Sequence, residues 1–297
     1  EAVPLFKLAL EANPRIEQFW LSYVDALIKT KHFEEARAIL ADGEKFGVAV
    51  EKLSVFHKQL QEVLPTDVVP SQEQINRLLD HYQTGRLPEA EKLAESLTQF
   101  FPSHPFGWKV LGVVFKRSGR LNESWLPMQK AVELSPQDAE ARSNLGNTLQ
   151  ALGRLEEAEA SYLRAIALSP DYAEAHNNLG NILQELGSLP EAEMRYRRAI
   201  ALKSDYAEAH NNLGVTLREL GRLGESEASF MQALALNPKY ADAHRNLTAT
   251  KHFLSEDEQF YQMQVLYRNP DISDDHRCQI CFALGKASQD LEQFAEA

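Results

Sequence analysis

Glycine recurs in this chain at a spacing that no single globular core requires. Gly112, Gly146, Gly180 and Gly214 stand 34 residues apart, as do Gly85, Gly119, Gly153, Gly187 and Gly221. The same period carries Leu111, Leu145, Leu179, Leu213 and Leu247, and Ala131, Ala165, Ala199 and Ala233. Pro102, Pro136 and Pro170 follow it too, with Ser204 interrupting before Pro238. A fixed period of this length means one supersecondary unit stacked many times, each copy burying its apolar face against its neighbours.

Each recurrent position has a physical role. Gly112, Gly146, Gly180 and Gly214 lie within a first helix, where a second helix carrying Ala158 or Ala192 needs close approach. Gly119, Gly153, Gly187 and Gly221 follow that helix, where a left-handed residue closes it. The recurrent proline ends the second helix, and Asp171 with Glu174, or Asp205 with Glu208, predicts a capping-box start for the next first helix.

The order Trp108, Leu111, Gly112, Phe115, then Ala158, Tyr162 and Pro170 resembles the tetratricopeptide signature. The resemblance implies an all-α fold, a right-handed α-solenoid of antiparallel helix pairs. It places repeats at 71–104, 105–138, 139–172, 173–206 and 207–240, with a capping helix at 241–254. Residues 1–64 are expected to form degenerate repeat-like helices, the last over 51–64, and 65–70 a linker. Residues 255–297 are expected to be a helical extension, with Ser255 and Glu258 opening one helix and Ser273 to Gln289 forming another. Leu284 and Gly285 fit the start of a further repeat, cut at Ala297, so the native polypeptide is expected to continue.

Apolar residues at 44% suffice for a core, and a net charge of −12 disfavours nucleic acid and anionic membrane surfaces. A neutral to basic protein or peptide is the expected partner. The only cysteines, Cys278 and Cys281, form a C-x-x-C, but no second Cys/His pair at suitable spacing completes a zinc site and no strand precedes them. They are expected to be buried or half-buried thiols in a cytoplasmic protein, with no metal and no cofactor.

Asn144, Asn178, Asn212 and Asn246 stand two residues before the helical glycine or its equivalent, and helical-wheel arithmetic puts them opposite the core. Asn147 and Asn181 share that face, with Glu140, Glu174, Glu208 and Asp242 beside it. An amide both donates and accepts, so such a ladder can pair with the backbone of an extended peptide. It resembles the asparagine ladder of O-linked N-acetylglucosamine transferase repeats, which implies that this face lines a concave groove. Two readings stand. Either the amides bind a ligand, in which case replacing them with alanine leaves stability unchanged, or they solvate a face and bond to the next repeat.

A carboxylate clamp needs cations where Ser143, Asn177 and Asn211 stand, with only Arg245 fitting. His176, His210 and His244 recur at the Trp108 position, too far apart on successive repeats to share an ion, and are expected to pack. No nucleotide-binding or hydrolase motif occurs, so no catalytic residue is expected and the chain is read as an interaction module. Residues 244–247, 269–275 and 282–287, with 19–27, resemble the connector and start of bacterial tetratricopeptide proteins ending in a sulfotransferase. That implies an alternative, a recruiting region of a longer sulfotransferase- or glycosyltransferase-type enzyme.

Overall fold

The computed structural model describes residues 2–30, 32–63 and 69–291. Among them the chain forms α-helices and no strand, in consecutive antiparallel pairs, an α-solenoid. Its internal contacts define two units, Glu1–Leu111 and Gly112–Ala297.

The first unit holds α1 (Ala2–Ala12), α2 (Glu17–Lys29), α3 (Phe33–Lys45), α4 (Val50–Val63), α5 (Gln72–Gln83), α6 (Leu87–Phe100) and the start of α7 (Pro105–Arg117). Tyr23, Val24, Leu27, Leu40, Leu53 and Leu60 form one buried cluster that joins α2, α3 and α4. Fully burying each such side chain stabilises the fold by about 1.5–3 kcal/mol before entropy is counted. Ser71 opens α5 with a reciprocal capping box to Gln74. Residue 64 of the last expected N-terminal helix, residues 65–68 of the expected linker, and 292–297 of the expected truncated repeat lie outside the described residues.

The second unit continues with α8 (Leu121–Leu134), α9 (Ala139–Ala151), α10 (Leu155–Leu168), α11 (Ala173–Glu185), α12 (Leu189–Leu202), α13 (Ala207–Glu219) and α14 (Leu223–Leu236). It ends with α15 (Ala241–Thr248), α16 (Glu258–Arg268) and α17 (Asp274–Asp290). One apolar cluster threads α8 to α13 through Met128, Leu145, Tyr162, Leu179, Tyr196 and Leu213. No pair in this run owns a separate core, as stacking requires.

Gly153, Gly187 and Gly221 adopt φ of 72°, 80° and 77°, and Arg154 N donates to Leu149 O at 2.9 Å around the first of them. That is the expected left-handed closure, with the residue after glycine reaching back five positions. The helical glycines have a different partner from the one expected. A Cβ on Gly146 would lie 2.8 Å from the Tyr162 ring, one on Gly180 2.6 Å from Tyr196, and one on Gly214 2.6 Å from Phe230. The missing side chain makes room for an aromatic ring; the alanines are not what it faces most closely.

The expected capping boxes at α11 and α13 do not form. Tyr172 and Tyr206 occupy the N-cap positions with no side-chain capping bond, and Asp171 instead accepts from Ser169 Oγ at 2.8 Å. Asp138 does cap α9, bonding Ala141 N at 3.0 Å. Helix α15 stops at Thr248 rather than near 254, and α16 is capped by Asp257, not Ser255. Ser273 caps α17 as its sequence position predicts.

Candidate peptide-binding site

Helices α9, α11, α13 and α15 present the asparagines in register, because one repeat length returns each residue to the same helical position. The amides do not simply face outward. Asn178 Nδ2 donates to Asn147 Oδ1 at 3.2 Å, Asn212 Nδ2 to Asn181 Oδ1 at 3.0 Å and Asn177 Oδ1 at 3.2 Å, and Asn246 Nδ2 to Asn211 Oδ1 at 3.0 Å. Every one of these bonds runs from a repeat to the one before it. Asn246 is only 7% exposed. Alanine at Asn178, Asn212 or Asn246 would therefore not leave stability untouched as expected, because these amides stitch neighbouring helices together.

The network reaches into the core. Asn147 Oδ1 also accepts from Tyr162 OH at 2.8 Å, and Asn181 Oδ1 from Tyr196 OH at 2.8 Å. The ring that fills the space beside the helical glycine thus has its hydroxyl satisfied by the amide row, as a buried phenol must. Burial, with Glu185 nearby, pushes both phenol pKa values up. Asn144, half-exposed at the start of the row, makes no side-chain hydrogen bond among the described residues, so both its N–H groups and its side-chain carbonyl remain open there.

The acidic row sits in a mixed setting. Glu208 accepts from Asn177 Nδ2 at 3.1 Å, Glu174 pairs with Lys203 at 3.2 Å, and Asp242 lies 4.0 Å from Arg245. Glu140 stands close enough to Tyr172 to raise its hydroxyl pKa, after burial. Tyr172, Tyr206 and Tyr240 form a third row that sequence reasoning missed. All three phenols are pushed up by burial first and by neighbouring carboxylates second, Tyr240 to about 12. Their 34-residue spacing was the available signal. Asn177 and Asn211 also belong to the network, and they neighbour the ladder in the sequence.

The recurrent histidines are placed by a backbone carbonyl. His176 Nε2 lies 3.2 Å from Pro170 O, His210 Nε2 3.4 Å from Ser204 O, and His244 Nε2 2.9 Å from Pro238 O. Trp108 Nε1 and Trp20 Nε1 make the same bond to Pro102 O and Pro14 O. A carbonyl only accepts, so the imidazole bears its proton on Nε2 and copies an indole. The Nδ1 atoms of His176 and His244 are buried without a partner, and burial lowers the pKa of all three rings. Cys278 and Cys281 lie on α17, exposed rather than buried.

The sequence families described as "Tetratricopeptide repeat" match residues 128–160 and 171–239, and one described as "TPR repeat" matches 146–187. Residues 128–239 are tetratricopeptide repeats. Solved structures agree on the fold. PilW, a "widely conserved type IV pilus biogenesis factor", superposes with a TM-score of 0.61 at 19% identity, over 70% of this chain and 99% of that one. A "thermophilic TPR protein in Thermus thermophilus" gives 0.52 at 25% identity, covering 60% of this chain and 97% of that one. Pseudomonas aeruginosa PilF gives 0.51 at 21% identity over 64% and 87%. No curated protein matches by sequence. Among the described residues of these tetratricopeptide pairs and their flanks, no helix is long and apolar enough to cross a membrane.

Proposed function

We propose that the chain is a non-catalytic interaction scaffold that holds an extended polypeptide on the asparagine face of α9, α11, α13 and α15. The observation that carries this reading is the amide row in register on four successive first helices, with Asn144 left entirely open and Asn178 and Asn212 half-exposed. Only part of each amide is used between repeats. Asn178 keeps one N–H free beside a bond to Asn147, and Asn147 and Asn181 use only their oxygens, which leaves donors spaced along the stack for a peptide backbone, while Asn212 spends both N–H groups on Asn181 and Asn177. The groups at this site are Asn144, Asn147, Asn178, Asn181, Asn212 and Asn246, with Glu140, Glu174, Glu208 and Asp242 adding a negative field. That field favours a neutral to basic partner and faster capture of Lys/Arg-rich peptides at low salt.

The likeness of the amide row to that of O-linked N-acetylglucosamine transferases supports the same reading. The likeness of the two ends to sulfotransferase-linked proteins supports a second one, in which the array recruits substrate for a transferase. Sulfate transfer measured with this polypeptide and with any longer form separates the two.

Asn144→Ala tests the scaffold reading cleanly, because this residue makes no side-chain bond that stability depends on. Titrating basic peptides of several sequences should show affinity weakened by about 2- to 12-fold, the value of one net hydrogen bond, with the melting temperature unchanged. Equal affinity for variant and wild type would overturn it.

A further inference from the structure

We propose that the cavity at the end of the ladder is a charge-selective subsite for an acidic segment carrying an apolar side chain, and that it fixes the direction in which a peptide lies on the amide row. The inference rests on the scaffold reading above. The cavity, ≈ 570 Å³, opens between α13, α15 and α17, and Asn246, the last rung of the ladder, forms part of its wall.

Three cations from three helices line it: Arg218, Arg245 and Lys286. Its lining contains no carboxylate. Arg218 makes no ion pair among the described residues and only stands 5.9 Å from the Phe230 ring. The carboxylate paired with Arg245 is Asp242, at 4.0 Å. Lys286 alone is well paired, with Asp290 on its own helix. Two guanidiniums are thus left with most of their donors open, in the planar geometry that grips carboxylates in pairs.

Beside Asn246, Thr248 and Gln279, the rest of the wall is apolar. Phe282 is 71% exposed, and Ala249 and Ala283 stand beside it. A bare aromatic ring among cations fits a ligand that brings negative charge and a hydrophobic side chain together. Two guanidiniums with open donors, on separate helices, exceed what one carboxylate can neutralise, so the matching occupant is an acid-rich stretch within an extended partner chain.

Positive charge is therefore added at one end of the stack. Glu140, Glu174, Glu208 and Asp242 recur in the first turns of α9, α11, α13 and α15, and the cations gather only at the α17 end, from the last turn of α13 onward. Neighbouring helices stand about 8–10 Å apart, comparable to the screening length at physiological salt, so the two ends present distinct fields. A peptide with a basic and an acidic half should lie in one orientation, acidic half on α17.

The test uses acetylated, amidated peptides with a Lys/Arg-rich half and a Glu-rich half around a leucine, a photo-crosslinker at the acidic end, and a neutral control. Wild type should crosslink within 274–290. Arg218→Gln/Arg245→Gln should lose that crosslink and bind the bipolar peptide about tenfold or more weakly at low salt, with the neutral control changed less than about twofold. Unaltered affinity of the double variant for the bipolar peptide, while the neutral control binds both proteins, would overturn the subsite and leave the scaffold reading standing. Binding that needs a free C-terminal carboxylate would overturn it too. Failure of every peptide to bind wild type would overturn both readings together.

Discussion

Alanine at Gly180 and alanine at Gly285 are the same chemical change with opposite expected signs. Within α17, Gly285 meets nothing within 4 Å of an added Cβ, so alanine there recovers only helix propensity, about 0.5–1 kcal/mol. At Gly180 the same Cβ would lie 2.6 Å from a Tyr196 ring carbon, well inside van der Waals contact. The ring has nowhere to go: it is fully buried, and its hydroxyl is held at 2.8 Å by Asn181 and 3.1 Å by Gln184. Overpacking of this kind costs about 1–3 kcal/mol. Less the propensity gain, Gly180→Ala should destabilise by up to about 2.5 kcal/mol, with about 1 kcal/mol at the centre of the range and a melting shift of about 2–4 °C there for a cooperative unit of this size. Thermal melts followed by far-UV circular dichroism on both variants make the comparison. Gly180→Ala melting at or above wild type would refute the claim that the ring dictates glycine here.

Asn246→Ala should destabilise by about 1 kcal/mol, seen in urea unfolding, because it removes the donor to Asn211 in a nearly closed site. The histidines should make stability pH-dependent. Burial lowers the folded pKa of His176, His210 and His244 below the unfolded value, so their contribution is complete above about pH 6.5 and is lost as pH falls through the folded values. Urea midpoints at pH 8, 6 and 5 should decline in that order, and His210→Trp, whose indole can make the same bond without titrating, should flatten the decline. Gly153→Ala should cost about 1 kcal/mol by forcing an L side chain into a φ of 72°, and should show as a lower urea midpoint with an unchanged slope.

The fold was legible because its punctuation is periodic: glycine at both kinds of position, proline at the ends, and apolar residues between them. Irregular parts were less so. Helix α15 stops early where Thr248 replaces glycine and sets its hydroxyl 3.7 Å from Met263 Sδ of α16, a contact no repeat template contains. The wheel arithmetic puts Asn178 and Asn212 opposite the core, but a wheel contains one helix. The partners of these amides sit 31 or 35 residues away in sequence and beside them in space, which only stacking reveals. Asp171 fits a capping pattern, yet Tyr172 starts the helix, because the turn after Pro170 is already tied by Tyr172 N to Ser169 O at 3.1 Å.

The ring-to-carbonyl bond has a mechanical side. His176, His210 and His244 each fasten the start of a first helix to the turn that precedes it, and so lock three successive joints of the stack. The equivalent residue in the pair before them is Arg142, which makes no such bond, and its Nε is buried without a partner. The joint between α8 and α9 therefore lacks the ring-to-carbonyl latch and is tied instead by Asp138, whose carboxylate caps α9 at Ala141 N, a bond the joints before α11 and α13 do not make.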